Sequence, residues 1–145
     1  MAETKSQDLG PDTSLLLVDD DELFLRRLAR AMEKRGFAPE MAGSVAAGKA
    51  FATARPPAYA VVDLRLEDGN GLDVVETIRE MRPDSRIVVL TGYGAIATAV
   101  AAVKIGATDY LSNPADANDI MNALLATGDK MPPPPENPMS ADRVR

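Results

Sequence analysis

Cysteine and histidine are both absent from the 145 residues of this chain. The lack of cysteine excludes a disulfide framework, a thiolate metal site and a cysteine nucleophile, and it is consistent with a reducing compartment. The lack of histidine excludes imidazole acid–base catalysis and, together with the missing cysteine, the usual zinc sites. Any metal site in this chain must therefore be built from oxygen ligands.

Long apolar runs and an excess of positive charge are missing too. No apolar segment approaches the roughly 18 residues that a membrane helix needs, and the polar start, MAETKSQDLGPDTS, does not resemble a signal peptide. The 22 acidic and 16 basic residues give a formal net charge of -6, the wrong sign for a surface that neutralises nucleic-acid phosphates. We therefore expect a soluble, cytoplasmic protein whose own residues contact neither membrane nor DNA.

Five short apolar runs alternate with segments of helical periodicity. The runs lie at residues 14–18, 38–42, 59–63, 86–90 and 108–112. The strongest of them are continuous rather than alternating, which is typical of parallel strands covered on both faces. Strand and helix alternate five times, so the pattern predicts an α/β fold with a doubly wound five-stranded parallel sheet.

Apolar spacing and capping residues define the predicted helices. Asp20 or Asp21 and Ser44 are suitable N-caps, and Gly36 follows the first helix. In the third helix one apolar face is predicted from the spacing of Leu72, Val75, Ile78 and Met81, and in the fourth from that of Ile96, Val100 and Val103.

The composition divides the chain into three parts. Residues 14–127 carry the predicted domain, and residues 1–13 are expected to form a disordered tail. Residues 128–145 contain five prolines among polar residues, which is typical of a semi-rigid linker. We expect this linker to lead toward a second domain that is absent from this chain.

Polar side chains follow the predicted strands at their carboxyl ends, where ligands bind in open parallel sheets. Asp19, Asp20 and Asp21 follow the first strand, Asp63 ends the third, and Thr91 follows the fourth. Converging carboxylates repel one another unless a divalent cation lies among them, and an oxygen-only set favours Mg²⁺. The sequence therefore predicts a magnesium site beside a group that binds or accepts phosphate.

Four motifs carry a resemblance to a known family. The segments LLLVDDDELFLRRLARAMEKRGF, VVDLRLEDGNGLDVVETIRE, VVLTGYG and GATDYLSNPAD occur in this order. Together they resemble the receiver domain of bacterial two-component response regulators over residues 14–127. The alanine-rich fourth helix and the four-proline segment are similar more narrowly to the RegA/PrrA/ActR redox-responsive transcription regulators.

The resemblance implies a flavodoxin-like (βα)5 fold and a phosphoacceptor role. Asp63 would take a phosphoryl group from a sensor histidine kinase, and Mg²⁺ would be held by Asp19, Asp20, Asp63 and the backbone carbonyl of Arg65. Thr91 would bind the phosphoryl group, and Tyr110 would move with it. The chain would then be a signalling domain rather than an enzyme, apart from its own phosphorylation and dephosphorylation.

The resemblance also implies an output. The face formed by the fourth helix, fifth strand and fifth helix would change on phosphorylation and form a homodimer. DNA would be bound only through the missing C-terminal domain.

One position departs from the family pattern. The family places a lysine before the proline that ends the fifth strand, whereas this chain has Asn113 before Pro114. Asparagine is neutral and shorter, so it cannot supply the ammonium that reaches the phosphoryl oxygens. We expect Asp63 to be phosphorylated and the switch to be poorly coupled to output.

Two alternatives remain. One is a phosphorylation-independent module with a receiver fold, used for dimerisation or docking, which Asn113 favours. The other is a haloacid dehalogenase-like phosphatase, suggested by the pair Asp19 and Asp21, although Leu23 does not fit that family's pattern.

Overall fold

The computed structural model describes residues 11–92, 96–112 and 115–125, in which five strands form one parallel sheet covered by five helices. The strands are β1 (Ser14–Val18), β2 (Ala38–Ala42), β3 (Tyr59–Asp63), β4 (Arg86–Thr91) and β5 (Asp109–Ser112). The helices are α1 (Glu22–Lys34), α2 (Val45–Ala54), α3 (Leu72–Met81), α4 (Ile96–Lys104) and α5 (Ala117–Leu125). A small antiparallel hairpin, Arg65–Leu66 with Gly69–Asn70, follows β3. The predicted alternation of strand and helix is confirmed.

The sheet has the strand order β2-β1-β3-β4-β5, and every neighbouring pair is parallel. The order reverses between β1 and β3, which is the flavodoxin-like, doubly wound arrangement. At such a reversal the loops that follow the two central strands diverge to opposite faces and leave a crevice between them. Residues 19–21 and 64–71 therefore border the expected ligand site.

Alternate residues of each central strand belong to two separate core layers. On one face, Leu15 and Leu17 of β1 pack with residues of α1 and α5, such as Leu28 and Leu124. On the other face, β1 belongs to a layer with residues of α2 and α3 and with Ala102 of α4. Because both faces are covered, the central strands are continuously apolar, as their sequences predicted.

The predicted helix ends are confirmed. Asp21 is the N-cap of α1, and its side chain accepts a hydrogen bond from the Phe24 N–H. Ser44 caps α2 by accepting from the Ala47 N–H. Gly36 ends α1 with a φ of 99°, a left-handed conformation that glycine adopts at little cost.

The predicted buried faces of α3 and α4 need correction. In α3 the buried residues are Val74, Val75 and Ile78, whereas Met81 is 45% exposed. The helix is rotated toward Val74 because it packs against α2 as well as the sheet. In α4, Val100 and Val103 are 44% and 37% exposed while Ala102 is buried, so the valine side of this helix faces away from the sheet.

No helix in the described ranges is long and apolar enough to cross a membrane.

Candidate functional site

The carboxyl ends of β1 and β3 bring three aspartates together. Val18 pairs with Val62 in the sheet, so Asp19 and Asp63 follow at matching positions on adjacent strands. Asp20 completes the group, and one carboxylate oxygen from each residue lies within 4.8 Å of the others. We call Asp19, Asp20 and Asp63 the acidic cluster. The sequence predicted this convergence from the strand ends alone.

Backbone amides orient the carboxylates of the acidic cluster. Asp19 is buried and accepts a hydrogen bond of 2.9 Å from the Asp21 N–H. Asp63 is half-buried and accepts one of 3.1 Å from the Arg65 N–H. Asp20 is exposed and accepts one of 3.0 Å from the Glu67 N–H. Each bond uses part of one carboxylate and leaves other oxygen lone pairs for a ligand.

Burial and mutual repulsion perturb the acidic cluster. Desolvation raises the pKa of Asp19 to about 6. The hydrogen bond from the Asp21 N–H lowers this pKa, and the negative charges of Asp63, Asp20 and Asp21 raise it further. Desolvation also raises the pKa of Asp63, again with a contribution from Asp20. In Asp19 and Asp63 burial is therefore the main cause that disfavours the ionised form, and the neighbouring negative charges add to it.

These residues fit a divalent cation. The donors are all carboxylate oxygens, which Mg²⁺ and Ca²⁺ prefer, and a cation would offset both the desolvation that chiefly raises the two pKa values and the repulsion that adds to it. An open cleft of about 360 Å³ borders Asp19 and Asp20 and gives solvent access to them. Since Mg²⁺ retains several waters when it binds proteins, an open site with few carboxylates suits it.

The neighbouring strand β4 contributes Thr91 to the same edge of the sheet. Asp63 pairs with Leu90, so Thr91 lies one residue farther along the adjacent strand. Thr91 is only 1% exposed, and its Oγ1 has no hydrogen-bond partner among the described residues. Burying a hydroxyl without a hydrogen-bond partner costs free energy, so such a hydroxyl indicates a place where a further polar group can bind.

The remaining predicted site residues have more varied positions. Tyr110 pairs with Val89 and packs, half-buried, against the core layer that includes α2 and α3. Arg65 is exposed and begins the hairpin after β3. Asn113 and Pro114 lie outside the described residues. The involvement of the Glu67 amide was not predicted, since a main-chain donor leaves no signal in the residue type.

Comparison with known proteins identifies the family. The model of the response regulator receiver domain matches residues 15–125 of the chain. The chain belongs to this family. As a receiver domain, it is a regulatory signalling protein of a two-component system rather than a classical enzyme, as predicted.

Two relatives define the type of receiver. The chain is 79% identical over 145 residues to the photosynthetic apparatus regulatory protein RegA of Rhodovulum sulfidophilum, covering all of the chain and 79% of that protein. It is 67% identical over 137 residues to the acid tolerance regulatory protein ActR of Rhizobium meliloti, covering 94% of the chain and 71% of the relative. The receiver is therefore of the RegA/ActR type.

A solved structure supports the fold. A response regulator from Burkholderia pseudomallei, crystallised with a phosphorylated aspartic acid, a calcium ion and citrate, is 41% identical to this chain with a TM-score of 0.76. The comparison covers 81% of this chain and 69% of that one.

The buried hydroxyl of Thr91, which has no hydrogen-bond partner in the part of the chain that the structure describes, gives a prediction about stability. Replacing Thr91 with valine removes the buried hydroxyl at almost constant volume, so we expect the free energy of unfolding of the metal-free protein to rise by about 1 kcal/mol. Chemical denaturation monitored by circular dichroism would measure the change.

Thr108→Val is the matched control for this prediction. The Thr108 hydroxyl accepts a hydrogen bond of 3.0 Å from the Ile87 N–H, so its removal should lower the free energy of unfolding by about 1 kcal/mol. If Thr91→Val were as destabilising as Thr108→Val, the Thr91 hydroxyl would have a partner in solution.

Proposed function

We propose that this receiver accepts a phosphoryl group on Asp63 from the phosphohistidine of a sensor histidine kinase. The observation that carries the proposal is the acidic cluster beside the buried hydroxyl of Thr91, which has no hydrogen-bond partner among the described residues. A carboxylate oxygen of Asp63 attacks phosphorus and forms a P–O bond. The P–N bond breaks, and its electron pair remains on the imidazole of the kinase.

The acidic cluster supplies the cation site for this transfer. Asp19, Asp20, Asp63 and the backbone carbonyl of Arg65 would hold Mg²⁺, which when bound neutralises charge on the phosphoryl oxygens. Thr91 would donate its hydroxyl to one of those oxygens and so gain a hydrogen-bond partner. Hydrolysis of the aspartyl phosphate by water would return the domain to its starting state.

The experiment that tests this function is phosphorylation followed by site mapping. The protein is incubated with phosphoramidate, which offers the same P–N bond as phosphohistidine, with and without Mg²⁺. Peptide mapping after borohydride reduction should locate the modified residue at Asp63, and Asp63→Asn should remove the modification. Modification at Asp19 would overturn the proposal and support the haloacid dehalogenase-like reading instead.

We propose further that the output is a homodimer formed through α4, β5 and α5. The exposed valines of α4, Val100 and Val103, support this face because they place apolar surface where a partner could cover it. Tyr110, which lies on β5, would move as Thr91 engages the phosphoryl group. DNA would be bound through a further domain, since the RegA relative is longer than the matched region and residues 128–145 have the composition of a linker.

Asn113 should weaken the coupling between phosphorylation and dimerisation. We expect Asn113→Lys to restore one charge-assisted hydrogen bond to the phosphoryl group and to strengthen phosphorylation-dependent dimerisation by about 10- to 100-fold. Sedimentation velocity with Mg²⁺ and beryllofluoride measures the dimer fraction. Asn113→Gln, which lengthens the side chain without adding charge, serves as the control and should behave as the parent does. An unchanged Asn113→Lys variant would contradict the role assigned to this position.

The lack of the lysine also favours a second candidate function, a receiver used for docking or dimerisation without phosphorylation. Titration with Mg²⁺ and beryllofluoride, followed by the NMR signal of the Thr91 amide, separates the two functions. A phosphoacceptor gives a saturable shift of this signal, whereas a phosphorylation-independent module gives none.

A further inference from the structure

The hairpin of residues 65–70 connects the acidic cluster with the N-terminus of α2. Arg65 pairs with Asn70 and Leu66 with Gly69, which leaves Glu67 and Asp68 at the turn. The Glu67 N–H donates a 3.0 Å hydrogen bond to Oδ2 of Asp20. The adjacent Asp68 carboxylate accepts hydrogen bonds of 2.8 and 3.2 Å from the N–H groups of Val45 and Ala46.

Asp20 is the member of the acidic cluster whose side chain is least restrained by burial. Asp19 is buried and Asp63 is half-buried, whereas Asp20 is exposed and can turn toward solvent. The negative charges of Asp19 and Asp63 also repel it, and the charge of Asp20 adds to the desolvation that chiefly raises the pKa of both residues. The hydrogen bond from the Glu67 N–H keeps the Asp20 carboxylate near Asp19 and Asp63 in spite of this repulsion.

Asp68 anchors the hairpin to a fixed part of the fold. The first N–H groups of a helix have no partner within the helix, and a carboxylate there is favoured by hydrogen bonds and by the helix dipole. Ser44 satisfies the Ala47 N–H, and Asp68 satisfies those of Val45 and Ala46. These two backbone bonds are the main causes of the lowered pKa of Asp68. Helix α2 is itself immobilised by burial of Val45, Gly48 and Ala52.

We propose that the Glu67 main-chain N–H is a positioning group that holds Asp20 within the acidic cluster, and that Asp68 is the positioning residue that keeps the hairpin in place. The inference rests on the proposed function only in taking the ligand of the cluster to be a divalent cation. Neither Glu67 nor Asp68 contacts the reacting atoms, and the side-chain charge of Glu67 plays no part.

Two variants remove the two links separately. Glu67→Pro removes the N–H donor, and the preceding Leu66 is already in a strand, the conformation that a following proline requires. Asp68→Ala removes the attachment to α2. We expect Mg²⁺ affinity, measured by calorimetry, to fall about tenfold in Glu67→Pro and about threefold in Asp68→Ala. The double variant should bind no more weakly than Glu67→Pro alone, because both changes act through one hydrogen bond.

A second readout requires no metal. Amide hydrogen exchange of the metal-free wild type should show a protected Glu67 N–H, and Asp68→Ala should remove that protection. Two controls separate positioning from charge and from helix stability. Glu67→Gln removes a charge and keeps the amide, while Ser44→Ala weakens the same helix end and keeps the hairpin attached. Both should bind Mg²⁺ within about twofold of wild type, since neither removes the N–H of Glu67 or the carboxylate of Asp68.

Wild-type Mg²⁺ affinity in folded Glu67→Pro and Asp68→Ala would overturn this inference and leave the proposed function intact. An unprotected Glu67 N–H in the metal-free wild type would also overturn it. A wild type that binds no Mg²⁺ at all is a different result, and it would overturn both the proposed cation site and the role of the hairpin.

Discussion

Replacing Gly71 with alanine is expected to lower the free energy of unfolding by about 3 kcal/mol or more. A Cβ at this position would lie 2.2 Å from the carbonyl oxygen of Asp63 and 2.8 Å from Cγ1 of Val62. Both neighbours belong to the buried central strand β3, so neither can move aside cheaply. The melting temperature should fall by on the order of 10 °C.

The position of Gly71 explains why the cost is large. Its N–H donates to the Leu64 carbonyl, and its carbonyl accepts from the N–H groups of Val74 and Val75 at the start of α3. A shift of Gly71 would therefore disturb both the chain after β3 and the first turn of α3. Because the clash is with the backbone of Asp63, we also expect phosphorylation of the variant to be slower.

Gly43→Ala is the matched control for this effect. The nearest atom to a Cβ at Gly43 is the Asp19 carbonyl oxygen at 4.0 Å, an ordinary contact distance. The melting temperature of this variant should stay close to that of wild type. Equal melting temperatures of the Gly71→Ala and Gly43→Ala variants would contradict this prediction. They would show that the backbone of β3 can shift at Asp63 and make room for the Cβ at little cost.

Asp19→Asn should stabilise the metal-free protein at neutral pH. The pKa of Asp19 is raised to about 6 from its usual 3.8, so the folded state binds a proton more tightly than the unfolded state does. Its contribution therefore favours folding at low pH and is lost as the pH rises through about 4 to 6. Ionising this buried carboxylate costs up to about 3 kcal/mol at pH 7.

The asparagine variant avoids this cost and keeps the local geometry. Its amide oxygen can still accept the hydrogen bond from the Asp21 N–H. In EDTA at pH 7.5 we expect the free energy of unfolding to rise by about 1 to 3 kcal/mol. The decline between pH 4 and 7 should become shallower by the contribution of Asp19, while the contribution of Asp63, whose pKa is also raised, remains. Urea denaturation across this pH range is the measurement. Mg²⁺ should stabilise the wild type and have little effect on the variant.

Another carboxylate, that of Asp12, lowers the free energy of unfolding at the acid end of the pH range. Asp12 has a pKa lowered to about 2, chiefly by the Ser14 N–H and also by Arg82, with which it forms a 2.8 Å ion pair. A lowered pKa contributes stability above about pH 4 that is lost as the pH falls toward 2. From these two groups, the metal-free protein should be most stable near pH 4.

The control for Asp19→Asn is Glu33→Gln, which changes the net charge equally at an exposed position of α1. Its stability should differ little from that of wild type at any pH. If Asp19→Asn were no more stable than Glu33→Gln in EDTA at pH 7.5, the acidic cluster would not be under electrostatic strain.

Much of the fold could be predicted because it follows from local patterns. The apolar runs located every strand end to within one residue. Asp21 and Ser44 marked helix starts through bonds to residues nearby in the chain, and Gly36 marked a helix end through its backbone conformation. The acidic cluster was also predictable, because parallel strands end at one edge of a sheet and each strand end could be read directly.

The buried faces of the helices were less predictable. A single apolar spacing allows more than one face in α3, and the choice of Val74 over Met81 depends on the packing of α3 against α2. The alanines and valines of α4 likewise leave the buried side ambiguous until the sheet is in place. In both helices the buried face is determined by contacts with residues far away in the sequence.

The sequence by itself determined the strands, the order of the elements and the family. It also determined which polar side chains stand at the carboxyl ends of the central strands, namely Asp19, Asp20, Asp63 and Thr91. Each of these depends on residue type and short-range spacing. Only the tertiary structure decided that Glu67 holds Asp20, that Asp68 joins the hairpin to α2, and that Gly71 must lack a Cβ. These features are contacts between backbone groups and distant residues, and a backbone group has the same chemistry in almost every residue type.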